Sequence, residues 1–184
     1  MTTFLLTNLL TTATQFQNKR DDTPAIKNTV NIRMGFSSAT SNGRPTLCLE
    51  GHTGKTLSLE TCGTGYGFVH RDPGIDFLHV RGNLSVFSTS FSKSQLSGQI
   101  GIGFAEIQVS EDRMGFHFRD HGSGHETAGP EISGALNWTH KLSKGSELIV
   151  NSNTGLAYFH FAPDLSLPQP QIFPFVELSA GIGW

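Results

Sequence analysis

The sequence predicts an all-β protein, an eight-stranded antiparallel up-and-down β-barrel, and three observations carry this prediction. First, only 15% of the residues are charged and 36% are hydrophobic, which is typical of neither a helical bundle nor a disordered chain. Second, apolar and polar residues alternate along the chain from about residue 26, with almost no 3.6-residue periodicity. Third, the connections between these segments alternate between short and long, as expected of an up-and-down barrel.

The length of 184 residues is suited to one domain. We expect residues 26–184 to form the barrel and residues 1–25 to be a leader, a disordered segment or a plug. The net charge of −2 comes with scattered Lys and Arg, so there is no basic stripe and no nucleic-acid partner is expected.

Eight segments show the alternation. In the first, Val30, Ile32, Met34 and Phe36 share one face, and Asn31 and Arg33 share the other. A ninth strand at 113–118, "RMGFHF", is an open alternative. The eight segments are 29–36, 45–51, 55–69, 76–87, 99–104, 131–139, 147–159 and 172–184.

Alternation alone does not decide which face is inside. In a soluble barrel or sandwich the oily faces pack inward, and such a protein would be secreted or soluble and bind a small apolar ligand or a glycan. In a membrane barrel the oily faces meet lipid, and the polar faces fill a narrow interior whose charges pair with one another. The second arrangement is favoured by single charges on the polar faces and by aromatics near strand ends. These residues are Arg33, Glu50, Glu60, Arg81 and Glu177, and Trp138, Tyr158 and Trp184.

Two rims follow from counting the connections. The segments 52–55, 90–95 and 142–146 are short turns on one rim, and 37–43, 69–75, 110–130 and 160–171 are long loops on the other. Short turns on one side and long loops on the other are typical of outer-membrane barrels. No apolar window approaches the length of a transmembrane helix, which excludes a helical membrane protein.

The ending "FVELSAGIGW", residues 175–184, resembles the C-terminal strand of bacterial outer-membrane β-barrels, which alternates and finishes on an aromatic residue. The resemblance implies a bacterial outer-membrane location, with outer-membrane lipid or lipopolysaccharide as the partner and a structural or surface-interaction role. Because side chains fill the interior of an eight-stranded barrel, a wide pore is not expected. We expect a monomer. The N-terminal stretch lacks the basic start and cleavage site of a secretory signal.

A second resemblance concerns chemistry. "HGSG" at 121–124 is similar to the His-x-Ser-Asn box of lipid A deacylase barrels, and "DPGIDFLHVRGNLSVF" at 72–87 is similar to their closing segment, although the order is reversed and Gly124 replaces the Asn. The resemblance implies a serine esterase acting on lipid A.

In that esterase, His121 would activate Ser123, and Asp120 or Glu126 would orient the imidazole. No cofactor is implied and no metal is predicted. The same loop, which also contains His117 and His125, could instead ligate zinc or nickel, or be a solvated loop that binds nothing.

The two cysteines lie on either side of a predicted turn near Lys55. Counting back from that turn places Cys48 opposite Cys62 on neighbouring strands, so a disulfide is geometrically possible after export. The alternative is two free thiols facing the interior.

Overall fold

The structure, a computed structural model, describes residues 29–41, 44–54, 56–64, 74–110, 125–142 and 145–184. Their eight strands form one closed antiparallel barrel in chain order, so the predicted fold class is confirmed. Residues 1–25 and the alternative strand at 113–118 lie outside the described residues. The strands are β1 Val30–Ser37, β2 Pro45–His52, β3 Leu57–Thr64, β4 Gly74–Phe91, β5 Ser94–Ser110, β6 Glu126–Lys141, β7 Glu147–Tyr158 and β8 Ile172–Gly183.

Pairing of β1 with β8 closes the barrel. Ile32 is the partner of Ile182 and Met34 is the partner of Ala180 in this last ladder. Every strand therefore has a hydrogen-bonded neighbour on both sides, and the barrel as described has no open edge.

No helix within the described residues is long and apolar enough to cross a membrane.

The apolar face of the barrel is the outer face. Met34 is 63% exposed and Ile102 is 68% exposed, whereas Arg33, Glu50 and Arg81 are at most 2% exposed. The predicted inverted arrangement is confirmed, and the alternative with inward oily faces is wrong. We call this exterior the apolar outer surface. It extends over every strand, far beyond the apolar patches of a soluble monomer. A closed barrel with this polarity is the architecture that spans a lipid bilayer.

The connections fall on two unequal rims, as predicted. Residues 53–56, 92–93 and 142–146 join strands at what we call the short-turn rim. Residues 38–44, 65–73, 111–125 and 159–171 join strands at the long-connection rim.

Aromatic side chains of the outer face lie near the ends of the strands. Tyr158 is 42% exposed at the long-connection rim, and Trp184 is 53% exposed beyond the end of β8. Trp138 is half-buried near the short-turn end of β6. Aromatic rings at these heights are suited to the boundary between hydrocarbon and headgroups.

A single charge on the outer face tests its orientation toward lipid. We expect Ile102→Arg, near the middle of β5, to reduce the free energy of unfolding in bilayers by about 2–4 kcal/mol, because hydrocarbon solvates the guanidinium poorly. Phe91→Arg, at the end of β4 beside a short turn, is the matched control and should cost about 1 kcal/mol or less. Urea unfolding in lipid vesicles measures both. Equal costs at the two positions would contradict a hydrocarbon-facing surface.

Candidate functional site

A charged network crosses the middle of the barrel interior. The guanidinium of Arg33 lies 3.2 Å from Glu50 and 3.2 Å from Glu60. The guanidinium of Arg81 lies 2.7 Å from Glu60, and 3.6 Å and 3.7 Å from Glu131 and Glu177 on the opposite wall. The pairs join β1, β2, β3, β4, β6 and β8. Ion pairs on this scale fill the interior rather than line an open channel.

The imidazole of His79 completes this network. Its Nδ1 lies 3.3 Å from Glu131 and its Nε2 lies 3.7 Å from Glu177, so the ring bridges two carboxylates. In total, four carboxylates lie against two guanidinium groups and one imidazole, and all of these side chains are at most 6% exposed. Buried charges on this scale are tolerated only when they remain paired.

Amides and hydroxyls satisfy further oxygens of the network. Asn83 donates to Glu60 at 2.9 Å, and Asn31 donates to Glu50 at 3.0 Å. Closer to the short-turn rim, Asn151 donates to Asn137 at 2.6 Å, and Asn137 donates to Gln99 at 2.7 Å. Polar side chains therefore also fill the interior between the ion pairs and the short-turn rim.

A disulfide joins Cys48 and Cys62 inside the barrel. The two residues are direct partners on β2 and β3, as the sequence permits. Two sets of three possible metal ligands are found within the described residues, and both contain a sulfur of this bond. Because a disulfide sulfur is not a thiolate, these sets do not offer the thiolate ligands that zinc binds.

The interior changes character toward the long-connection rim. Here aromatic rings pack against one another, with centroid distances of 5.0 Å between Phe77 and Phe175 and 6.1 Å between Phe159 and Phe173. Leu165, from the connection after β7, is buried on this group. We call it the apolar plug, and its members are Ala39, Phe77, Ala105, Ile107, Val109, Ala157, Phe159, Ala162, Leu165, Phe173 and Phe175.

Sequence analysis missed the apolar plug, although a signal was present. The sequence predicted an interior filled by polar faces, and at the long-connection rim the interior also contains aromatic side chains. Phe173 and Phe175 share the face of Glu177, and Phe77 shares the face of His79. Period-2 alternation places these aromatics inside the barrel with the charges. The interior is thus blocked by an apolar layer and by a charged layer.

Of the four predicted catalytic residues, the structure describes only Glu126. It is the first residue of β6, at the long-connection rim, and it is 6% exposed, whereas the sequence predicted it within the loop 110–130. Its partner across the ladder is Gln108, which donates to Glu106 at 2.8 Å. Asp120, His121 and Ser123 lie outside the described residues, as does His117, so the esterase assignment stays a prediction.

One described contact links two long connections at this rim. Nδ1 of His125 lies 3.2 Å from Oγ of Ser166. The contact brings the connection that precedes β6 against the connection that follows β7. This pair is exposed, and its geometry is that of a surface contact between two connections.

The closed barrel, the apolar outer surface and the charged interior together define a small β-barrel of the outer-membrane type. No protein-family model matches the chain, and no curated protein matches it. Among solved structures it is similar to Ail, the attachment invasion locus protein of Yersinia pestis, in complex with the heparin analogue sucrose octasulfate. The identity is 8%, the match covers 84% of this chain and 95% of that chain, and the TM-score is 0.43.

A second crystal structure of Ail from Yersinia pestis matches with 8% identity, 85% of this chain, 97% of that chain and a TM-score of 0.40. At this level of similarity, the function of the chain has to be inferred from its own residues.

Removing the central guanidinium should destabilise the barrel strongly. We expect Arg81→Met to lower the free energy of unfolding by about 3–5 kcal/mol, because Glu131 and Glu177 then lose their arginine partner inside the barrel. Adding Glu131→Gln and Glu177→Gln should recover part of that loss, since the uncompensated charges are removed as well. Urea unfolding in micelles measures both variants. A loss below about 1 kcal/mol for Arg81→Met would be within the range of exposed ion pairs and would contradict a buried network.

The esterase prediction has its own test. If Ser123 is the nucleophile, the purified barrel releases fatty acid from lipid A, and Ser123→Ala lowers the rate by about 10³-fold or more. Ser90→Ala, an exposed serine near the short-turn end of β4, is the matched control and should keep the full rate. Fatty-acid release that survives in Ser123→Ala would remove this residue from the mechanism.

Proposed function

We propose that the protein spans the bacterial outer membrane as a monomer and works through surface contacts made at its long-connection rim, with lipopolysaccharide as the partner. The observation that carries this proposal is the combination of an apolar exterior with an interior blocked at two levels. A barrel that faces lipid and conducts nothing has only its rims available for function.

The disulfide is consistent with this location. Cys48 and Cys62 are bonded within the interior, and disulfides persist in the periplasm and on cell surfaces rather than in a reducing cytosol. The bond therefore supports an exported protein.

The connection after β7 supports a contact surface at the long-connection rim. Ala162 and Leu165 anchor it in the apolar plug, while Phe161 is 40% exposed and Leu167 is 48% exposed. The ring of Phe161 contacts His160 edge-on at a centroid distance of 4.7 Å. An anchored connection that presents apolar and imidazole groups is suited to the interface where sugars, phosphates and acyl chains of lipopolysaccharide meet.

The membrane location is tested by electrophoretic mobility. Barrel purified in detergent should migrate faster in SDS before boiling than after boiling, and should precipitate when the detergent is removed. Planar-bilayer recordings should show no steady conductance, since both layers of the interior are filled. A monodisperse protein in detergent-free buffer would contradict the proposal.

The partner is tested at the rim. Phe161→Ser combined with Leu167→Ser should lower the affinity for immobilised lipopolysaccharide by about tenfold, equivalent to about 1.4 kcal/mol. Phe91→Ser, on the opposite rim and 51% exposed, is the control and should leave the affinity unchanged. Equal affinities for the two variants would show that this connection is not the contact surface.

A further inference from the structure

The outer face of β4 to β8 contains a groove of about 360 Å³. Its floor lies at two glycines, one on β5 and one on β6, and its walls are exposed side chains of the apolar outer surface. The volume falls within the range of about 300–1,000 Å³ that is usual for ligand pockets. The residues that define the groove are Phe87, Gly98, Gly134, Leu136, Thr154 and Val176.

A β-bulge shapes one end of this groove. The register of β4 and β5 shifts between Ser85 and Phe87, which makes Val86 the extra residue. The ring of Phe87 then lies across Gly98, so that a Cβ on this glycine would overlap the ring. Phe87 occupies its position because Gly98 has no side chain.

The other glycine leaves open space. A Cβ on Gly134 would meet only the carbonyl oxygen of Gln99, at 3.9 Å. The hydroxyl of Thr154, on the wall beside it, donates to the carbonyl oxygen of Phe175. The groove therefore presents mainly apolar atoms, on a face that the bilayer would cover.

Below the groove, toward the short-turn rim, the outer face becomes polar. Gly98 and Leu136 are cross-strand partners. Four residues closer to the short-turn rim, the cross-strand partners are Ser94 and His140. Four residues along a strand span about 13 Å. Oγ of Ser94 lies 2.8 Å from Nδ1 of His140, which leaves Nε2 as the nitrogen that can meet a headgroup.

An aromatic ring and a basic side chain complete this polar end. The ring of Trp138, between the groove and His140, stacks on the imidazole with a centroid distance of 5.7 Å. Lys93 directly precedes Ser94 in the turn and is exposed. Both lysines within the described residues, Lys93 and Lys141, lie in or beside a short connection. Lysines at a membrane surface attract anionic headgroups.

We propose that this groove binds one phospholipid of the leaflet on the short-turn side. One acyl chain lies over Gly134, beside the ring of Phe87, and the phosphate lies at His140 and Lys93. This inference rests on the proposed membrane location. A phospholipid fits because one molecule supplies both an apolar chain for the groove and an anionic phosphate at the end near the short-turn rim. A second copy of the chain fits less well, because a symmetric contact would bring the lysines of two short-turn rims together.

The acyl-chain part is tested by filling the groove. Barrel in dodecyl maltoside is titrated with phosphatidylglycerol, and bound lipid is counted by native mass spectrometry. Gly134→Leu should lower the affinity by about tenfold or more, because the new side chain takes the space of the acyl chain. Gly82→Leu is the matched control, since Gly82 lies on the outer face outside the groove, is exposed, and has nothing within 4 Å of a built Cβ. The control should bind as the wild-type protein does.

The headgroup part is tested with two lipids. Lys93→Gln combined with His140→Gln should weaken phosphatidylglycerol binding by about tenfold and leave the binding of diacylglycerol, which has no phosphate, unchanged. An equal loss for both lipids would overturn the headgroup assignment.

Two results would overturn the groove assignment. One is equal phosphatidylglycerol binding by Gly134→Leu and Gly82→Leu. The other is a dimer of the wild-type protein that Gly134→Leu dissociates, since a second copy would then occupy the groove. If either result is found for a barrel that still shows the heat-dependent mobility shift, the groove assignment is refuted and the membrane location is not. A protein that shows no shift and needs no detergent refutes the membrane location together with this inference.

Discussion

Closure of the sheet by β1 and β8 is the constraint on which the rest of the structure depends. A backbone N–H or C=O that faces hydrocarbon without a partner costs several kcal/mol, so a sheet can cross a bilayer only as a closed barrel. The ladder from Asn31 to Ser37 against Glu177 to Gly183 supplies the last set of bonds. Once the sheet is closed, each side chain has only two environments, and period 2 assigns every residue to one of them. The apolar outer surface and the charged network are two results of the same closure.

The interior consists of layers along the barrel axis, with a charged layer in the middle and an apolar layer at the long-connection rim. In the middle, Arg33 pairs with carboxylates of the nearby strands β2 and β3, and Arg81 reaches Glu131 and Glu177 on the opposite wall. At the long-connection rim, Phe77 and Phe175 pack beneath Leu165, so the plug separates the ion pairs from the solvent above. An apolar lid over a charged layer lowers the local dielectric, which strengthens well-paired charges and penalises any that lose a partner.

Much of this fold could be predicted from the sequence, because alternation reports directly on the two faces of a strand. It placed Ile32 and Leu136 opposite Arg33 and Asn137, and it placed Cys48 beside Cys62. It did not predict how far β5 extends, since Gly98 and Glu106 interrupt the apolar face on either side of the predicted segment while remaining in the ladder. The inward direction of the plug aromatics could be predicted, because Phe175 alternates in step with Glu177 and Phe77 with His79. Their contact at one rim could not, because it depends on how β4 and β8 face each other across the closed barrel. The esterase residues rest on a local resemblance, and only Glu126 has a described position.

The buried disulfide fixes an order of events in the life of the protein. Both cysteines are 3% exposed. They lie between the charged network and the aromatic rings of the apolar plug. An oxidoreductase has to reach the sulfur atoms to exchange electrons with them, and the described part of the closed barrel buries both of them. We therefore expect the bond to form while β2 and β3 are still accessible, before β1 meets β8. Oxidation becomes a step of biogenesis that precedes membrane assembly, and the completed barrel then shields the bond from later reductants.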